Sequence, residues 1–92
     1  MRLEWRPMAL EDRDANMEFI GQDNPGAALE LDEDFEDKAE QARSSPTLYK
    51  MGRIHGTREI VVRPSYVMVY HVEADAVVIL RVIHSAQQWP PA

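Results

Sequence analysis

The chain has no cysteine. Disulfides, thiolate nucleophiles and thiolate metal ligands are thereby excluded, and the lack of staples fits a reducing compartment. Histidine is sparse as well: His55, His71 and His84 stand apart, with no zinc-ligand spacing among them. No metal and no other cofactor is expected. No apolar run approaches the roughly 18 residues that cross a bilayer. The opening MRLEWRPMALED has no apolar signal core, so a cytoplasmic protein without a membrane partner is expected. Positive charge is missing where nucleic acid would need it. The net charge is −6, and residues 1–46 hold thirteen acidic against five basic side chains. Such a chain repels a phosphate backbone, and direct nucleic-acid binding is not expected of it. Residues 47–92 carry only a small excess of bases, five against three acids.

What is present suffices for a single domain over residues 1–92, and an apolar share of 45% argues against a disordered chain. MRLEWRP alternates Leu3 and Trp5 with charged neighbours, the period of a half-buried strand. Pro7 then suits the start of a helix. MALEDRDANMEFIGQ reads as that helix, with a thin apolar face of Ala9, Ala15, Phe19 and Ile20. A longer helix follows, signalled by Asn24 as its N-cap and Pro25 behind it. Ala28, Leu31, Phe35, Ala39 and Ala42 recur three or four apart and form one stripe, leaving the acids of LELDEDFEDKAE to the solvated faces.

After the loop TLYKMGRIHG the period changes to two. TREIVVRP, YVMVYHV and AVVILRVIH are strand-like runs separated only by PS and EAD. Connections so short make consecutive strands antiparallel. The expected fold is α+β, in the order β-α-α-β-β-β, with a small antiparallel sheet and an N-terminal helical hairpin packed on one face. The last two runs are apolar on both sides. Tyr66, Met68 and Tyr70 alternate with Val67 and Val69, and Val77, Ile79 and Ile83 oppose Val78, Leu80 and Val82. Strands of this kind need cover on both faces. The hairpin shields one face and no further element remains for the other, so a partner is expected to complete the burial.

In this order and spacing the chain resembles the RelE/ParE toxins of type II toxin–antitoxin modules. The likeness rests on Pro7-Met8-Ala9 opening the first helix, Phe19-Ile20 near its end, and Asn24-Pro25-Gly26-Ala27-Ala28 opening the second. It continues through GTREIVV (56–62), YVMVYHV (66–72), VILRVIH (78–84) and QQWP (87–90), and so covers nearly the whole chain. The resemblance implies a toxin held inactive by a cognate, ParD-like antitoxin encoded nearby. A flexible antitoxin segment would fold along the toxin, giving a hetero-oligomer and supplying the missing partner. One branch of the family cleaves messenger RNA in the ribosome. The other, ParE-type, poisons DNA gyrase and has no established catalytic residue.

The residues favour the second branch. RNA cleavage without a metal needs a base, an acid and cations around the phosphorane-like transition state. The cleaving branch places a critical arginine just before the strand core, where this chain has Tyr66 and Val67. His84 matches a histidine that ends the last strand in some cleaving members, but Ser85 follows it where an aromatic residue is common. The catalytic candidates under the nuclease alternative are therefore His84, Arg81 and Arg58. Under the gyrase reading Arg58, Tyr66, Met68, Tyr70, Arg81, His84 and Trp89 are candidates for antitoxin or target contact. Each has a plain structural role as the competing expectation. Arg58 would pair with an acid of the long helix or of the antitoxin, and Arg81, mid-strand among apolar neighbours, needs a partner or an open edge. His84 would be a hydrogen-bonded strand end, Trp89 would close over the sheet, and the tyrosines and Met68 would pack. A third reading is a non-toxic relative that only binds antitoxin.

Overall fold

In the computed structural model, which describes residues 1–91, strand β1 (Arg2–Trp5) leads into helices α1 (Pro7–Gly21) and α2 (Pro25–Ser44). Strands β2 (Arg58–Arg63), β3 (Tyr66–Glu73) and β4 (Ala76–His84) follow. The sheet order is β1-β4-β3-β2. β2, β3 and β4 form the antiparallel meander that their short connections dictate, but β1 lies parallel to β4. The sheet is therefore mixed rather than antiparallel throughout. The short-connection rule does not reach β1, which is joined to the meander through the helices. α1 runs on in the direction of β1, so that Arg6 still bonds Ile79 while Asp12 has reached Val82. α2 returns over the sheet, and β2 sets out parallel to β1.

The stripe on α2 is buried at all five positions and makes the helix-side core with Ile60, Met68, Tyr70, Val77, Ile79 and Val82. The Asn24 side chain caps the helix by accepting from the Ala27 N–H at 3.0 Å. α1 departs from the expected packing. Of its apolar residues Ala9 is buried and Ile20 half-buried, whereas Ala15 is exposed and Phe19 is 75% exposed. Its inward surface is polar instead. Arg13 forks onto Asp32 at 2.8 and 2.7 Å, reaches Glu36 at 2.8 Å, and lies over the Trp5 ring at 4.5 Å. Its guanidinium titrates well above the ordinary arginine value because the hydrogen bond to Asp32 outweighs the opposing effect of burial. Ion pairs, not an apolar stripe, hold this helix.

The alternation in β4 also breaks. Val69 pairs with Arg81 and Tyr70 with Ile79, so Leu80 is left as a bulge. Past it every side chain changes face. Val82 joins Val77 and Ile79 on the helix side, and Ile83 falls with Val78 on the far side, the reverse of simple alternation.

The far face is not left open, which corrects the expectation that a partner must finish the burial. Val69 and Val78 are 0% exposed and Ile83 is 3% exposed. Two segments without regular structure supply the cover. Residues 50–57 fold against β2, with Glu59 N–H donating to the Lys50 carbonyl and Gly52 N–H to the Thr57 carbonyl. Gly52 is required in this turn, since a Cβ there would collide with the Thr57 hydroxyl. The turn sets Arg53 over Glu59, on the side of the sheet that carries Val69. The C-terminal tail then folds back, its Trp89 carbonyl accepting from Arg53 Nη1 at 3.2 Å. Beyond this cover Val61 remains 54% exposed on the outer strand.

Candidate functional site

β1 ends opposite Ile79, so from Arg81 onward β4 presents a free edge. α1 lies along that edge. Asp12 accepts from Arg81 Nε at 2.8 Å, from Arg81 Nη2 at 3.0 Å and from the Val82 N–H at 2.8 Å. One carboxylate thus satisfies both a strand edge and a charge among apolar neighbours. The hydrogen bond to Asp12 raises the Arg81 guanidinium above its ordinary value against a smaller effect of burial. Arg81 also lies 5.8 Å from the centre of the Trp89 ring.

Arg58 sits on the helix side, near the start of β2. Its partners are backbone carbonyls rather than the acid expected of it: Nη1 donates to Tyr49 at 2.7 Å. Its cross-strand neighbour Tyr70 donates its hydroxyl to the Pro46 carbonyl at 2.6 Å, and burial pushes that hydroxyl's pKa up. At the other end of the same face His84 stands edge-on to Tyr66, with ring centres 4.9 Å apart. His84 Nδ1 accepts from the Ala86 N–H at 3.0 Å, which leaves the proton of the neutral ring on Nε2.

The three nuclease candidates do not converge. His84 pairs with Tyr66 and Arg58 with Tyr70, four positions apart on β3 or about 13 Å along the strand. Arg81 pairs with Val69 and belongs to the far face. The other arginines of this half are engaged too, Arg53 with Glu59 and Arg63 with Asp34 at 2.7 Å. Met68 and Tyr70 are fully buried in the core. Tyr66 is half-buried between Phe35 and His84.

The open feature is an apolar groove of about 600 Å³ between the start of α1 and the tail. Pro7 and Met8 at the start of α1, Ile54, Trp89 and Pro91 of the irregular segments, and Leu80 and Arg81 of β4 line it. A smaller depression of about 400 Å³ lies elsewhere, lined by Pro46, Met51, Arg58, His71 and Val72 among others. Among the described residues no three His, Cys, Asp or Glu side chains gather as a metal-binding group, and no helix is long and apolar enough to cross a membrane. Sequence reasoning missed Asp12, Ile54 and the pairing of Arg53 with Glu59. The signal for Asp12 was present, since Arg81 demanded a carboxylate, and Glu59 within an apolar run likewise demanded a base.

The comparisons agree across nearly the whole chain. A family model described as "ParE toxin of type II toxin-antitoxin system, parDE" matches residues 3–89. The protein named "Putative toxin Y4kP" from Sinorhizobium fredii (strain NBRC 101917 / NGR234) is 33% identical over 90 residues, covering 97% of this chain and 93% of that protein. A solved chain of the chromosomal ParDE toxin–antitoxin system of P. aeruginosa superposes with a TM-score of 0.81 at 19% identity, over 91% of this chain and 95% of that one. The YoeB/ParE toxin from Agrobacterium tumefaciens superposes with a TM-score of 0.67 at 16% identity, over 91% and 98% of the two chains. At such identities the solved structures speak for the fold, two helices on a four-stranded mixed sheet. With the family match spanning nearly every element described above, the chain belongs to the ParE toxin family of type II toxin–antitoxin systems.

Proposed function

We propose that this toxin acts in the cytoplasm by inhibiting DNA gyrase, and that a ParD-like antitoxin encoded nearby holds it inactive in a hetero-oligomer. The observation that carries this reading is the condition of the four arginines that follow α2. Arg81 is held by Asp12, Arg53 by Glu59, Arg63 by Asp34 and Arg58 by backbone carbonyls. A phosphorane-like transition state needs cations free to meet it, next to a base able to take the 2′-hydroxyl proton. Here the one candidate base, His84, stands roughly 13 Å along the strand from Arg58 and has Nδ1 occupied. A net charge of −6 also suits a protein target better than a ribosome lined with phosphate.

The test is gyrase supercoiling with the purified toxin, with and without antitoxin, run beside a translating extract. Inhibition that the antitoxin relieves, with message left intact, is the expected result. Site-specific cleavage of message with gyrase untouched would replace this reading with a ribosome-dependent endonuclease of the RelE type. Tight antitoxin binding with neither effect would make the chain a non-toxic antitoxin-binding partner. His84→Ala should leave toxicity in cells largely unchanged.

A further inference from the structure

The tail from Ser85 to Pro91 covers an apolar sheet face, yet its own ties to that face are few. Its root is closed locally, by Ser85 N–H on the Ser65 carbonyl and by the turn linking His84 and Gln87. Farther out, among the described residues, the polar tie is the single bond from Arg53 Nη1 to the Trp89 carbonyl, at an exposed position. The Trp89 indole N–H is buried without an acceptor. A buried donor left unsatisfied favours any arrangement that returns it to water. The tail also borders the groove of about 600 Å³, so it fills only part of the trough in which it lies. Beneath the cover Val69 sits between Glu59, which holds Arg53, and Arg81, which faces Trp89.

We propose that residues 85–91 are a strap that opens about its His84–Ser85 root while the rest of the fold stays intact. Closed, it hides the far side of the sheet together with residues 50–57. Open, it uncovers a face centred on Val69, Leu80 and Ile83, continuous with the groove. Any partner that prefers this face binds the open form and draws the equilibrium toward it. The inference concerns the isolated chain and holds whether gyrase or another molecule is the target.

Absence of cysteine makes the test direct. Val69→Cys and Met68→Cys place single thiols on neighbouring residues of β3 that point to opposite faces and are equally buried. Thiol labelling of each variant is measured in the folded protein at increasing urea. The thiol of Val69→Cys should label faster than that of Met68→Cys, with a weak urea dependence, because a strap exposes far less surface than unfolding does. The thiol of Met68→Cys should label only at the rate and with the urea slope of global unfolding. Arg53→Lys keeps a cation beside Glu59 but lacks the fork that reaches Trp89. Added to each variant, it should speed labelling on the far face by on the order of tenfold and leave labelling on the helix side unchanged. Equal rates and equal slopes for the two thiols would overturn the strap. Should Val69→Cys fail to fold, Trp5→Phe leaves Trp89 as the single tryptophan. Acrylamide quenching of Trp89 should then rise with Arg53→Lys while the circular dichroism is unchanged, and quenching that rises only with unfolding would refute the proposal.

Discussion

Replacing Asp12 by alanine is the sharpest test of how α1 is held. The carboxylate takes three hydrogen bonds at 2.8–3.0 Å, two from Arg81 and one from the Val82 N–H. The two side chains keep only 15% and 18% of their surface exposed. Removing one partner of a fully buried pair costs about 3–5 kcal/mol, because the other charge is stranded. Residual exposure lowers that figure here, while the orphaned Val82 N–H adds to it, so a loss of about 2–4 kcal/mol is expected. In a domain of this size the melting temperature should fall by roughly 10–25 °C. Asp12→Asn keeps an acceptor for Val82 and should lose only about 1–2 kcal/mol. Adding Arg81→Met to Asp12→Ala removes the stranded charge, so the double variant should be more stable than the two single losses predict. Urea denaturation monitored by circular dichroism measures all three. If Asp12→Ala stayed within about 0.5 kcal/mol of the parent, the account of α1 as a helix seated on ion pairs would be wrong.

Further expectations concern the core and the cover. Phe35→Ala should lose about 3–5 kcal/mol in urea denaturation, since the ring lies at the centre of the α2 stripe. Tyr70→Phe should lose about 0.5–1.5 kcal/mol by freeing the Pro46 carbonyl, with no change in the circular dichroism spectrum. For Glu59 burial pushes the carboxyl up, but hydrogen bonds from the Arg53 side chain and backbone bring it, on balance, below the ordinary value of 4.5. The unfolded chain therefore takes up this proton first as pH falls. The stabilisation is present above that value and is lost below it. Glu59→Gln should flatten the decline in stability between about pH 5 and pH 3, measured by thermal melts across that range.

How much of this was legible in the sequence depended on which force held each element. The α2 stripe and the first part of each strand run rest on apolar burial, which leaves a period, and there the expected and observed faces coincide. At Leu80 the bulge shifts the phase, and nothing in AVVILRVIH marks it, because residues on both sides of it are apolar. The inward face of α1 is built from Asp12 and Arg13, whose partners Arg81 and Asp32 lie far along the chain. An ion pair of that kind has no periodicity to detect. The cover of the far face was missed for a related reason. Trp89 was expected, as one of two roles, to close over the sheet, but Ile54 lies in a segment without regular structure, to which a reading that counts helices and strands assigns no shielding. At the candidate site the need for company around Arg81 was legible, and the identity of that company was not.

The parallel pairing of β1 with β4 sets the order in which the molecule can be assembled. Arg2 finds its neighbour only at Ala76, so β1 must wait for β4. During synthesis the helices and the β2–β3 pair can form from contacts close along the chain, while β1 waits on a hydrogen-bonding edge that has not yet been translated. The finished sheet, and with it the strand that carries Arg81, comes into being only once β4 has been translated.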